Sequence, residues 1–200
     1  MKTGTILLVV VLVILALLGV SGCSQYNTFV EKDANVETAW ANVETAYQRR
    51  SDLIPNLVNT VKGSADFERS TLNEVIEARS KATSIQLSAD DLTPENLARY
   101  QEAQSELSGS LSRLLVAVER YPELRTTDQF RDLQTQLEGT ENRINVARTR
   151  YNEEVRNYNV AVRRFPGNFF ASITGFDEAT PFEAEEGADR APTVDFGTAG

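Results

Sequence analysis

Apolar residues recur at helical spacing along most of this chain. Phe29, Val36, Trp40, Val43, Tyr47, Ile54, Val58, Val61, Ala65, Leu72 and Val75 follow one another at steps of three, four or seven, and Arg79 closes the series. Such steps place residues on one face of an α-helix. Within this stripe NVETAW at 35–40 returns seven residues later as NVETAY at 42–47, which reads as a packed helix seam. Pro55 lacks the amide that would bond the carbonyl of Ser51, so a kink or break is expected near 51–55. The stripe keeps its phase across the proline, which favours a kink, with Asn56 placed to satisfy backbone groups freed there.

A second periodic segment follows the polar loop 84–93. Thr93 has the character of an N-cap and Pro94 of a first helical residue. Leu97, Tyr100, Ala103, Leu107, Leu111, Leu114 and Val118 then hold the period up to Tyr121-Pro122. A third segment opens at Thr126-x-x-Gln129, a capping-box pattern. Its stripe is Phe130, Leu133, Leu137, Ile144, Ala147, Tyr151, Val155, Tyr158, Val162 and Phe165, a helix of about 55 Å at ~1.5 Å per residue. Between 24 and 165 glycine stands only at 63, 109 and 139. Gly139, in mid-helix, reads as a point of close helix–helix approach. Short connections make neighbouring helices antiparallel, so the expected fold is all-α, an antiparallel bundle of three to four long helices.

Both ends depart from this pattern. Lys2 is followed by an unbroken apolar run at 6–18, then by Val20-Ser21-Gly22-Cys23. That ending has the form of a lipobox, in which Cys23 would be diacylated after cleavage. The rival is an uncleaved membrane helix: residues 6–20 span roughly 22 Å and 4–22 about 28 Å, against a ~30 Å hydrocarbon core. Either anchor tethers the chain, and if the positive end stays inside, the domain faces the extracytoplasmic side. At the other end, residues 176–200 hold seven acidic residues against Arg190 alone. The period is lost there, and an irregular, disordered acidic tail is expected, with Phe176, Phe182 and Phe196 as aromatics able to tuck against the bundle. The chain therefore divides into an anchor at 1–23, a bundle at 24–175 and a tail at 176–200.

Composition narrows the chemistry. Of the net charge of −9 over 200 residues most lies in the tail, since residues 24–175 carry 18 basic and 22 acidic side chains. A pI near 4.7 argues against sequence-independent nucleic-acid binding. There is no histidine and one cysteine, which excludes Ser-His-Asp and Cys-His catalysis and Cys/His zinc sites. Glu68, Glu119, Glu138 and Glu141 are the candidates for a carboxylate pair or an all-oxygen metal site, but their spacing matches neither a calcium loop nor a catalytic signature. No phosphate-binding glycine loop is present. The expectation is a protein without enzymatic activity, cofactor or metal.

The polar residues near Pro55 have a structural reading. Arg49, Arg50 and Asp52 are placed to pair with another helix, through carboxylates such as Glu119, Glu138 or Glu141, as a clamp that fixes register; a partner-binding surface is the alternative. Tyr151-Asn152 and Tyr158-Asn159 lie seven apart and share a face, with the tyrosines read as core and their hydroxyls at the rim.

Several blocks follow one another in a specific order: Tyr26-Asn27, RRSDLIPNLVNTVKG at 49–63, Phe67-Glu68, Ala78-Arg79, RLLVAVERYP at 113–122, and LQTQLEGTEN at 133–142, ending in Asn142. Tyr151-Asn152, Tyr158-Asn159, Phe165-Pro166 and Gly175-Phe176 complete the series. The pattern closely resembles the LemA family from about Tyr26 to Phe182. The resemblance implies a membrane-anchored helical bundle and no established activity. Family members usually keep the N-terminal segment as a transmembrane helix, and the lipobox-like ending departs from that. The functional expectation is a non-catalytic, membrane-tethered domain of the cell envelope that engages an envelope protein or self-associates. The alternative is a lipid- or small-molecule-binding module with an apolar slot between helices.

Overall fold

The protein, seen as a computed structural model, is described over residues 3–63 and 67–183. Ala65 and Phe196 lie outside the described residues, as does the acidic tail beyond 183. The chain is all-α, with no strand among the described residues. Its helices are α1 (Thr3–Lys62), α2 (Arg69–Ser84), α3 (Pro94–Val118), α4 (Pro122–Arg125), α5 (Asp128–Arg163) and α6 (Gly167–Thr174), with a 3-10 turn at Ala89–Asp91 before α3.

The start of α3 follows local chemistry as expected: Pro94 is in the first turn, and the Thr93 hydroxyl accepts from the Asn96 amide at 3.3 Å. The start of α5 does not. The cap is Thr127, accepting from the Phe130 amide at 3.3 Å, and the box at Thr126 and Gln129 is not formed. The short α4 claims Thr126 instead: its amide bonds the Pro122 carbonyl at 3.1 Å, and its hydroxyl donates to Glu123.

Of the two outcomes weighed at Pro55, a break does not occur: the proline lies inside a continuous helix, as the unbroken phase of the stripe favoured. The orphaned Ser51 carbonyl accepts a hydrogen bond from Arg79 Nε of α2 at 2.9 Å. Arg79 thus supplies the donor that proline lacks, while Asn56, expected to serve there, is exposed.

Contacts fix how the helices run. Trp40 meets Tyr151 at 5.7 Å between ring centroids and Arg50 meets Glu141 at 2.9 Å, so α1 and α5 are antiparallel. Glu68–Arg120, Glu74–Arg113 and Lys81–Glu106 follow one another along the whole length of α2, so α2 and α3 are antiparallel. The core forms two apolar clusters. One gathers Ile54, Leu57, Val61, Val75, Leu107, Leu114, Phe130 and Leu133; the other gathers Phe29, Trp40, Val43, Tyr100, Tyr151, Val155, Tyr158 and Phe182.

Two expected packing positions are corrected. Phe165 is 85% exposed, because α5 ends at Arg163 before the stripe reaches it. Gly139 faces open space, with nothing within 4 Å of a Cβ placed there; its neighbours Leu137 and Thr140 take the inward positions. The close approach occurs at Gly167, where an added Cβ would run into the Ala161 carbonyl and approach the Phe29 ring.

The N-terminal segment is continuous with the body, since α1 passes from residue 3 through Cys23 into the core without interruption. Among the described residues no helix is long and apolar enough to cross a membrane; side chains 14, 15, 17 and 18, within the apolar run, lie outside them.

Candidate functional site

The two apolar clusters are separated by a polar layer built from one side chain. Arg50 is 1% exposed. Its Nη1 donates to Ser108 Oγ at 2.6 Å and Glu141 Oε1 at 2.9 Å, and its Nη2 donates to Gln104 Oε1 at 2.6 Å and the Gln104 carbonyl at 3.1 Å. Its guanidinium carbon also lies 5.1 Å from the centre of the Tyr47 ring. Three helices, α1, α3 and α5, are thereby joined at one level. A planar fork of donors suits this task, because it can serve partners in several directions. Thr140, also buried, belongs to the same level of α5.

The other expected members of the cluster are dispersed. Asp52 accepts from Gln48 at 2.8 Å and Glu138 from Gln134 at 3.0 Å, each within its own helix. Arg49, Asn56 and Asn142 are exposed. Glu119 is exposed and caps the end of α3, so it does not reach Arg50. Cys23 is exposed on α1. Among the described residues no group of three or more Cys, Asp or Glu could hold a metal ion.

Beside the polar layer a cleft of about 530 Å³ opens between α1, the end of α2 and α3, lined by Glu44, Tyr47, Gln48, Arg49, Asp52, Tyr100 and Gln104 among others. Burial raises the Glu44 carboxyl above its ordinary value of 4.5. The Tyr100 hydroxyl is likewise pushed up, first by burial and then by its neighbours Tyr47 and Glu44.

The second arrangement was not legible as a site. Residues 176–183, expected to open a disordered tail, run extended along α5 and are pinned there. Asn159 brackets Ala179, accepting from its amide at 2.8 Å and donating to its carbonyl at 2.8 Å. Asn152 does the same for Phe182, at 2.8 and 3.1 Å. Seven helical residues advance about 10.5 Å, and three extended residues about 10 Å, so two asparagines two turns apart match two backbone units three residues apart. Tyr151 Oη adds a bond to the Thr180 carbonyl at 2.7 Å. Gln101 bonds the Glu183 carbonyl at 3.0 Å.

The Phe182 ring stacks on Trp40 at 5.9 Å, meets Tyr151 at 5.4 Å, and lies under the Arg148 guanidinium at 5.0 Å. Burial lifts the Tyr151 and Tyr158 hydroxyls to about 12 each. The available signal was the seven-residue Tyr-Asn repeat. The tyrosines are core, as read, but the asparagines beside them are the working groups. Chemically these elements can hold helices in register and bind an extended backbone.

Comparison with known proteins gives matches along most of this length. Magnetosome protein MamQ 2 of Paramagnetospirillum magneticum is 26% identical, covering 82% of this chain and 67% of that protein. Magnetosome protein MamQ of Magnetospirillum gryphiswaldense gives the same identity and coverage. Protein LemA of Metamycoplasma hominis is 22% identical, covering 80% of this chain and 69% of its own. The profile of the LemA family matches residues 39–196, and the chain belongs to that family.

Proposed function

We propose that this protein is a membrane-tethered, non-catalytic helical domain of the bacterial cell envelope, an antiparallel bundle that works by contact with another envelope protein or by assembly with itself. The observation that carries the reading is the beginning of α1. Residues 6–13 are all large and apolar and between 46% and 69% exposed, on the same uninterrupted helix that supplies the core from Phe29 onward. An apolar surface of this kind, all round a helix, is unfavourable in water and favourable in lipid. Membership of the LemA family supports the same reading. The anchor is either the helix itself or a diacyl group on Cys23, the chain's one cysteine, and the body faces the extracytoplasmic side. Cys23→Ala separates the two: loss of lipid labelling with loss of membrane retention supports the lipoprotein, and unchanged mass and retention support the helix.

The reading of the body as an assembly module rests on the missing catalytic residue types, histidine above all, and on a body whose polar layer and pinned segment serve to hold elements in place. Cross-linking in intact membranes followed by mass spectrometry tests it. Reproducible links to one envelope protein or to a second copy are expected, and monomer alone at several linker lengths would overturn it. The cleft beside Tyr47 and Tyr100 favours one second reading, a small-molecule module. Native mass spectrometry of detergent-extracted protein would then show a bound small molecule in place of a protein partner.

A further inference from the structure

We propose that α6 is a second membrane contact, an interfacial foot whose apolar stripe inserts into the bilayer surface beside the anchor. The inference rests on the tethered reading above and adds a lipid-binding site to it. Phe165, Phe169 and Ile173 are 85%, 58% and 67% exposed. Phe169 and Ile173, four residues apart, share one face of α6, and Phe165 stands exposed in the turn that leads into the helix. The opposite face is seated on the body: Ala171 is buried, and Gly167 approaches the Ala161 carbonyl too closely to carry a side chain. Of the two phenylalanines of α6, Phe170 packs against the body and Phe169 faces outward.

Its position identifies the partner. Phe170 lies against Gly22, where an added Cβ would meet the ring at 3.0 Å. The stripe therefore sits where the N-terminal apolar run joins the body. Residues 3–21 span about 28 Å as a helix, close to the ~30 Å hydrocarbon core, which sets Gly22 at the lipid–water boundary. A diacylated Cys23 would set the neighbouring residue at the same boundary. The exposed Arg163 pairs with Glu178 at 3.6 Å, so local charge is largely offset and recognition is by apolar insertion. A neutral phospholipid surface suffices. Three side chains are too few to hold a protein on a membrane alone, but they add effectively to a first anchor.

The test places a tryptophan in the stripe. Trp40, the chain's one tryptophan, is 2% exposed and serves as the internal control. The full-length Phe169→Trp chain is reconstituted into phosphatidylcholine vesicles with or without bromine on the acyl chains, and vesicle flotation is scored alongside emission. The emission contributed by the new tryptophan should fall by about half on brominated lipid, as for a ring ~5–10 Å into the headgroup–acyl boundary, while the native chain is unchanged. Adding Phe165→Ser and Ile173→Ser should abolish the quenching without loss of flotation. A chain that floats with its new tryptophan unquenched overturns the foot and leaves the tether standing. A chain that does not float overturns the tether and the foot with it. An unquenched tryptophan whose emission depends on protein density points to a second copy on the stripe, and also overturns the proposal.

Discussion

Arg50 shows how a single residue can organise a core. Its charge is almost wholly withdrawn from water, and the return comes from four hydrogen bonds to two other helices. Removing a buried charge's partners, or the charge itself, leaves polar groups stranded. Arg50→Ala is expected to lower unfolding free energy by about 3 kcal/mol, and Arg50→Lys by a similar amount, since an ammonium cannot reproduce the fork. Glu141→Gln, with its side chain 41% exposed, should cost only about 1 kcal/mol. Urea titration followed by circular dichroism checks all three. A clamp between an arginine near Pro55 and a glutamate of another helix was legible, but not which of two adjacent arginines turns inward nor which of three glutamates it meets. A signal was present in the stripe itself: its seven-residue skip from Tyr47 to Ile54 is filled by Arg50. The skip from Leu137 to Ile144 is filled by Thr140 and Glu141, so gaps in the apolar period marked the polar layer.

At the scale of elements, the long helices were readable because their periodicity is carried by their own side chains. What was missed involves donors from elsewhere in the chain. A proline predicts an orphaned carbonyl, but only the fold shows that Arg79 reaches it. Arg79→Ala should cost about 1–3 kcal/mol by leaving the Ser51 carbonyl unpaired, and much less in a Pro55→Ala background, where the helix amide is restored. A double-mutant cycle measures that coupling. The pinned segment was hidden for a related reason. It is recognised through its main chain and the single Phe182 ring, one of the aromatics read as able to tuck against the bundle, while its acidic composition dominated the reading. Asn152→Ala and Asn159→Ala should each cost about 1–2 kcal/mol. Phe182→Ala should release the segment, seen as red-shifted Trp40 emission with helix content retained.

For the molecule as a whole, two apolar clusters joined through one polar layer imply a shared dependence on α1, which contributes to every part. Its tyrosines set an alkaline limit. Tyr151 and Tyr158 hold their protons up to about 12 in the folded protein, against 10.0 ordinarily, and Tyr100 shifts the same way. The folded state binds these protons more tightly than the unfolded chain, so the sign is fixed. Stability is undiminished below pH 10 and is lost as pH rises from about 10 towards 12. Denaturant midpoints measured across that range should fall, with tyrosinate absorbance lagging behind that of the unfolded chain. Tyr158→Phe should flatten the decline.

The pinned segment also bears on the order of events in synthesis. Trp40 is made early, within the first helix, yet the ring that covers it belongs to Phe182. A growing chain can zip α1 against α3 and α5 as each emerges, but the aromatic slot around Trp40 stays open until the last of these residues arrives. Closure of that slot is a long-range step, slow by its loop length. A chain halted short of Phe182 keeps the rings of Trp40 and Tyr151 uncovered on that side.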